Sequence, residues 1–270
     1  RVTRLGLAAL VALAAVALLV VAGPLLWQIA PETTDPAHAL LGPGSAHPFG
    51  TDELGRDVLS RLLHGGQVTL LVGVAAMLAA LLVGVLVGAS AGFYGGWTDA
   101  ALMRLTDAML AVPAFFLILV VITVVGSSTL TLVLVIGALS WMSVARVAYG
   151  ETLRWKTAEF VVAAKSLGVS SPRLLVRHIL PQAVPSLVVS ATLGVAYAIL
   201  TESAVSYLGL GVQPPTPSWG NMLQRAQQYV FTAPVLALYP GAAITLVVLA
   251  FNFLGDGLRD ALDPRARRHR

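Results

Sequence analysis

Six apolar stretches, 5–27, 68–92, 109–125, 130–148, 184–208 and 235–254, punctuate this chain of 270 residues. Each is close to the roughly 20 residues that a helix needs to cross a bilayer core. Hydrocarbon offers no water to the peptide groups, so a stretch of this kind is expected to satisfy its own backbone as a helix. The composition agrees: 57% of residues are hydrophobic and only 11% charged, where soluble domains run to about a quarter charged. Residues 5–27 follow Arg1 and Arg4 and imitate a secretory signal. Their apolar run is longer than the roughly 7–15 residues of a cleaved segment, and no small-x-small site follows, so a retained span is expected. The third span has an alternative start at Asp99, and Pro113 sits near its beginning, where a kink is tolerable if neighbours cover the freed carbonyl. The fold class is therefore an all-α membrane protein with six transmembrane helices.

Six crossings leave both termini on one side. Of the 17 lysines and arginines, only Arg56, Arg61 and Arg225 fall in segments on the opposite side, and the other 14 lie with the termini. Basic residues accumulate in cytoplasmic loops, so both termini are expected inside the cell. The net charge of +4 then reflects sidedness, and no nucleic-acid partner is implied. No cysteine is present, which excludes disulfides and thiolate metal sites, and the five histidines show no ligand pairing. The chain divides at this level into 1–66, a first span with an external segment, and 67–270, the remaining spans with a cytoplasmic loop at about 150–182.

That loop is the most specific feature. Thr157 is a plausible N-cap, Glu159 faces the positive end of a short helix, Lys165 sits in its last turn, and Gly168 is placed just past its end. Phe160, Ala163, Ala164 and Leu167 recur at helical spacing and make one narrow, alanine-lined apolar face. Ser171 then caps a second helix with Pro172 at its first position, and Pro181 is expected to stop it. A basic hairpin of this kind between spans suits docking into a shallow cleft of a soluble partner.

Elsewhere, Ala76, Ala80, Gly84, Gly88 and Gly92 place a small residue at every fourth position, a stripe for close helix packing. In the external segment, Thr51 or Asp52 is expected to cap an amphipathic helix running from Glu53 past Arg61 and His64 along the interface. The loop 209–234 contains Pro214, Pro215, Pro217 and Pro234 and reads as a lid or a docking surface. The basic tail 263–270 is suited to anionic lipid. Glu202 is the one acid inside a span, with Thr201, Ser203 and Ser206 beside it. Intramembrane acids are costly, so Glu202 and Ser206 are candidates for a pathway or gate, a structural hydrogen bond between helices being the other reading.

The chain has no Gly-x-x-x-x-Gly-Lys-Ser/Thr phosphate loop and no clustered Ser, His and acid, so no catalytic residue is assigned. Its few membrane acids do not form a proton relay. Energy for transport would arrive from a partner, through the hairpin.

The hairpin resembles the Glu-Ala-Ala…Gly…Ile-x-Leu-Pro loop of permease subunits in bacterial ABC importers. Here Val162-Ala163-Ala164 stand for the triplet, with Gly168 and Leu180-Pro181 at the matching distances. Val162 replaces the acid and His178 replaces the isoleucine, with Ile179 beside it. The run from His47 through Asp52, Glu53 and Arg56 to Arg61 is similar to the second permease of the oligopeptide/dipeptide subfamily. So are Phe93-Tyr94-Gly95-Gly96-Trp97, Glu202 with Tyr207–Gly211, and Pro217-Ser218-Trp219-Gly220. The resemblance implies a type I importer core from about residue 68 in a bacterial cell membrane. Its partners would be a sister permease in a heterodimer, two ATPase subunits that use ATP and Mg, and an external substrate-binding protein or lipoprotein. It implies that Glu159, Phe160, Val162, Ala163, Ala164, Leu167, Gly168, Leu180 and Pro181 meet the ATPases, and that no cofactor or metal binds this chain. Asp52, Arg56 and Trp219 are the expected docking residues for the binding protein. Di- or oligopeptides are the expected cargo, with nickel chelates or glutathione as alternatives on the same fold. The contrasting class, a self-sufficient channel or secondary carrier with a merely regulatory hairpin, lacks support from any nucleotide loop or relay.

Overall fold

The computed structural model describes residues 4–262. The basic tail proposed to meet lipid, and Arg1, lie outside the described residues. The described chain is helical, and its only extended pairing is one isolated bridge between Thr51 and Asp57. Its helices are α1 (Arg4–Leu26), α2 (Val58–Tyr94), α3 (Gly96–Leu110), α4 (Ala114–Val125) and α5 (Thr129–Lys156). They continue as α6 (Glu159–Ser166), α7 (Ser171–Leu174), α8 (Leu180–Tyr207), α9 (Trp219–Ala226) and α10 (Val235–Leu262). Five long helices are apolar enough to cross a membrane, and α3 with α4 reaches the same length and hydropathy only as a pair bent by 83°, which gives five candidate spans or six if the pair is one.

That bend corrects the expected single third span. Pro113 has no N–H to offer and disfavours helical geometry at Val112, so α3 ends and α4 restarts with Pro113 as its N-cap. The N–H groups of Ala111 and Val112 fold back to the Asp107 and Met109 carbonyls, which closes the end of α3.

Two other expectations are corrected. The predicted interfacial helix is the first turns of α2. Asp57, not Thr51 or Asp52, caps it, its carboxylate accepting from the Ser60 N–H at 2.6 Å. The expected boundary at residue 66 therefore falls inside α2. Nor does Pro181 stop a helix, because the chain is helical from Ser171 to Tyr207. A wide π-turn at Leu175–Ile179 precedes the proline, and the Leu180 N–H reaches back to the Leu175 carbonyl. The extra residue in that turn absorbs the ring that would otherwise press on the preceding turn of a regular helix.

The centre of the bundle is α2, α5 and α8, with α10 on α8 and α1 laid along α10 and α2. Helix α2 packs most extensively on α5. The stripe Ala76, Ala80, Gly84, Gly88 and Gly92 is buried along that seam, against Gly137, Trp141, Val144, Ala145 and Thr152. Lipid supplies no hydrophobic drive between helices, so their association rests on close van der Waals contact between small residues. At Gly88 the approach is backbone to backbone, since a Cβ there would collide with the Ala145 carbonyl oxygen.

Gly88→Val is accordingly expected to separate α2 from α5 at a cost of about 1–3 kcal/mol or more. Leu86→Ala, on the uncovered face of the same helix, is expected to be near neutral. Melting of the two purified variants in detergent checks this.

Candidate functional site

Three polar or grooved features stand out from the apolar bundle: the hairpin after α5, a cavity between α3/α4, α5 and α8, and a polar knot around Glu202.

The hairpin is built on two long helices. Helix α5 ends at Lys156, whose ammonium donates to the Gly92 carbonyl at 3.4 Å and lies over the Phe93 ring, pinning it to the end of α2. Thr157 is the C-cap of α5, not the N-cap of α6; that position belongs to Ala158, with no side-chain cap bond. The physical reason is spacing, since α5 runs on past its apolar part and leaves only two residues before α6. Glu159 lies in the first turn of α6 and Lys165 in its last, as expected. Gly168 takes φ +82°, its N–H bonds the Lys165 carbonyl and the Val169 N–H bonds the Ala164 carbonyl. This is a Schellman closure, in which only glycine sits without strain. Ser170 replaces Ser171 as the next N-cap, and Pro172 falls one position later than expected.

Below α6 is a small core of its own. Val161, Ala89, Leu174, Leu175 and Ile179 are buried together, with Phe93, Trp155, Ala164 and Leu180 packed on them. The opposite side of α6 is apolar and uncovered: Leu167 is 86% exposed, Val162 51% and Phe160 42%, and Ala163 is exposed between them. Helix α6 is thus clamped by one face and presents the other. Pro181 is also exposed, at the start of α8. One contributor was not read from the sequence. The Glu151 carboxylate accepts from Ser186 Oγ at 2.7 Å and from Trp155 Nε1 at 3.0 Å, tying α5 to α8 just under the hairpin.

The cavity has a volume of about 520 Å³ and opens to one side. Met109, Leu110, Val112, Pro113 and Ala114 from the α3–α4 break form one wall. The facing walls carry Ser140, Ser143 and Met142 of α5, Met77 of α2, and Ser190 and Tyr197 of α8. Hydroxyls and flexible methionines give weak, adaptable contacts, with no fixed charge in the lining. Sequence reading missed this site, because none of its hydroxyls belongs to a motif.

Glu202 is fully buried and accepts from Ser206 Oγ at 2.7 Å, with Ser203 Oγ at 3.4 Å. Thr69 on α2 and Ser218, the N-cap of α9, lie beside this carboxylate, their hydroxyl oxygens accepting from the Trp219 and Asn221 N–H groups. Ser206 Oγ in turn accepts from the Val212 N–H at 3.0 Å. Neither Glu202 nor Ser206 lines the cavity. The geometry favours the structural alternative: one carboxylate joins α2, α8 and the turn into α9, and the several donors offset its burial.

The segment 28–57 forms a cap over the same end. Asp52 Oδ2 accepts from Arg56 Nε at 2.7 Å and pairs with Arg61 Nε at 3.4 Å. Glu53 Oε1 accepts from Arg56 Nη2 at 3.0 Å and from Arg225 Nη1 of α9 at 3.1 Å. Asp57 also takes the Trp27 indole N–H at 2.9 Å and pairs with His47 at 2.8 Å. At the surface of the cap the Asp35 carboxyl is held below its usual range by its hydrogen bond with His38. Trp219 is 1% exposed; its indole donates to the Leu62 carbonyl at 2.9 Å, and it packs beside Val20 and Val58. The expectation that Asp52, Arg56 and Trp219 present a docking surface is therefore corrected. All three are consumed in closing the cap, because a charge without water needs a partner and an indole this large fills a core. Of the proline-rich loop, Gln213, Pro214 and Pro215 are exposed near its start, and Val230, Phe231, Thr232 and Pro234 near its end. Among the described residues no group of three or more His, Asp or Glu could hold a metal ion.

Residues 84–268 match the family described as binding-protein-dependent transport system inner membrane component. The chain is 38% identical over 264 residues to the dipeptide transport system permease protein DppC of Alkalihalophilus pseudofirmus, covering 98% of this chain and 87% of that one. It is 41% identical over 226 residues to the glutathione transport system permease protein GsiD of Pectobacterium atrosepticum, covering 84% and 75%. Identity to the Escherichia coli O157:H7 protein of that same designation is 44% over the same coverage.

If Glu202 is a hydrogen-bond hub, Glu202→Ala strands several buried hydroxyls and is expected to cost about 1–3 kcal/mol for each one left unsatisfied. Glu202→Gln keeps one acceptor and is expected to fall between Ala and the parent. Trp219→Ala is expected to cost about 3–5 kcal/mol by emptying its pocket. Thermal melting of the purified variants ranks them, and an Ala variant as stable as the parent overturns the hub.

Proposed function

Since the chain belongs to the family of binding-protein-dependent transport system inner membrane components, an ABC importer permease of the cytoplasmic membrane, we propose that it carries short peptides inward. The observation that carries the mechanism is the uncovered apolar face of α6, held on a clamped hairpin at the ends of α5 and α8. A chain with no phosphate loop of its own needs such a surface to receive work from separate ATPases. Glu159, Phe160, Val162, Ala163, Ala164, Leu167, Gly168, Leu180 and Pro181 would form or support it. ATP and Mg belong to those partners, and this chain takes part in transport without catalysing a reaction. With the hairpin in the cytoplasm, both termini lie inside and the 28–57 cap lies outside, where an external binding protein delivers cargo.

The open-sided cavity supplies half of a passage, and a sister permease facing it would supply the other half. Its lining suits peptides in general: hydroxyls for amide groups, methionine and tyrosine for side chains, and no fixed charge to select a sequence. Dipeptides are the first reading, since the dipeptide permease matches over 98% of this chain. Glutathione is the second, on the strength of the 44% identical relative. Both are small peptides, so one cavity serves either, and discrimination falls to the binding protein.

The test is uptake of labelled dipeptide and of glutathione by proteoliposomes containing the assembled importer. Ala163→Arg and Gly168→Val are expected to remove most ATP-driven uptake while the protein stays in the membrane. The first crowds the docking face, and the second strains an αL turn by roughly 1–2 kcal/mol. Normal uptake with Ala163→Arg overturns the coupling assignment.

The background free of cysteine allows a second check. A single cysteine at Ser45, exposed on the cap, is expected to react with an impermeant maleimide in intact cells, and one at Ser170, exposed on the hairpin, is not. Labelling of position 170 from outside would reverse the orientation.

A further inference from the structure

Helix α3, like α4, is only lightly enclosed by the chain, and it lies mainly against α2. Of its 15 residues only Met103 and Thr106 are buried. It is joined to α4 through the 83° break at 111–113, where helical hydrogen bonding is interrupted. Two polar ties fasten it to α5. Arg146 pairs with Asp107, and the Tyr149 hydroxyl donates to Asp99 at 3.0 Å. The earlier residue of α3 meets the later residue of α5.

Position gives these ties their meaning. Arg146 lies one turn beyond Ser143, the last hydroxyl that α5 contributes to the cavity, and Asp107 lies just before Met109 and Leu110 on the opposite wall. Separating α3 from α5 at this level would part the cavity walls at their hairpin end. Helix α5 continues without interruption from the cavity wall through Arg146 and Tyr149 to Lys156, two residues short of α6. A displacement of the hairpin is thus applied directly to the helix that holds the ties. Both members of the ion pair are about half exposed, at 48% and 49%. The chain's own packing therefore does not enclose this pair, in contrast to Asp52 and Arg56 under the cap.

We propose that the Asp107–Arg146 pair, backed by Asp99–Tyr149, is a latch that closes the hairpin end of the cavity, and that its release lets α3 turn about 111–113 and discharge cargo. The proposal rests on the transport reading given above. It makes Asp107 and Arg146 positioning residues, acting through α3, with no contact to the cargo required.

The experiment uses the complete importer, with sister permease, ATPases and binding protein, in proteoliposomes loaded with the dipeptide assay. Asp107→Asn and Arg146→Gln are each expected to lower the ratio of peptide imported to ATP hydrolysed roughly tenfold, through hydrolysis that no longer needs the binding protein. The exchange Asp107→Arg with Arg146→Asp is expected to restore most of that ratio, which a loss of general stability would not do. A cysteine pair at 107 and 146, bridged by a short reducible bis-methanethiosulfonate, is expected to cross-link in the resting complex, to stop uptake while bridged, and to release it on reduction. An unchanged ratio in both single variants overturns the latch, as does failure to cross-link or full uptake by the cross-linked complex. If the parent complex shows no ATPase stimulation by binding protein, the transport reading fails instead, a distinguishable result.

Discussion

Everything in this structure hangs on how closely α2 and α5 approach. In lipid an apolar side chain gains nothing by leaving one hydrocarbon surface for another, so helices adhere only where many atoms touch at short range. The small residues from Ala76 to Gly92 let α5 settle against the α2 backbone along several turns. With that seam fixed, α8 can pack on both helices, and α10 and α1 follow from outside. The same rigidity makes α5 a usable lever. Its middle lines the cavity and its C-terminal end leads into the hairpin, and a helix so tightly seated moves as a unit with its neighbour.

Polar groups are then used where packing cannot decide geometry. The cap encloses Asp52, Arg56 and Arg61 by pairing them with one another and draws in Arg225 of α9 through Glu53. Glu202 sits among hydroxyls from α2, α8 and the turn into α9, where the Trp219 N–H also bonds Thr69 Oγ1 at 3.2 Å. Among the described residues no buried side-chain polar atom lacks a partner. Fully satisfied networks of this kind specify one arrangement, because any alternative leaves a donor or acceptor bare in a medium of low dielectric. The cap end of the molecule is thus held by buried, mutually dependent polar contacts. The hairpin end is held by a small apolar core and exposed ties. That asymmetry sets buried polar contacts at one end of the bundle and exposed ones at the other.

The break at Pro113 shows how a local sequence rule acquires function from its surroundings. Proline removes one hydrogen bond wherever it sits in a helix, and α1, α8 and α10 run on through Pro24, Pro185 and Pro240. At Pro113, however, the helix breaks and the break lines the cavity. The π-turn before Pro181 solves the opposite problem. It preserves a continuous helix across a proline, so that α8, like α5, connects hairpin and cavity without a flexible joint.

Much of the architecture was determined by sequence alone. Apolar run length marks the spans, because bilayer thickness admits little else, and residue size marks the α2 stripe. Gly168 and the spacing around it mark the hairpin's turn, because only glycine occupies that φ without strain. Those are local properties, carried by residues a few positions apart. What only the tertiary structure decided is nonlocal. Asp52, Arg56 and Trp219 look from sequence like an exposed surface, yet they are buried, since their partners include Arg61, the Leu62 carbonyl and Val20 on other elements. The bond from Arg225 to Glu53 spans 172 positions, and that from Arg146 to Asp107 spans 39. No periodicity encodes such separations. The assignment of Glu202 followed the same division: its cost in a membrane is legible from one letter, but whether that cost is met by cargo or by neighbouring hydroxyls depends on which helices fold beside it.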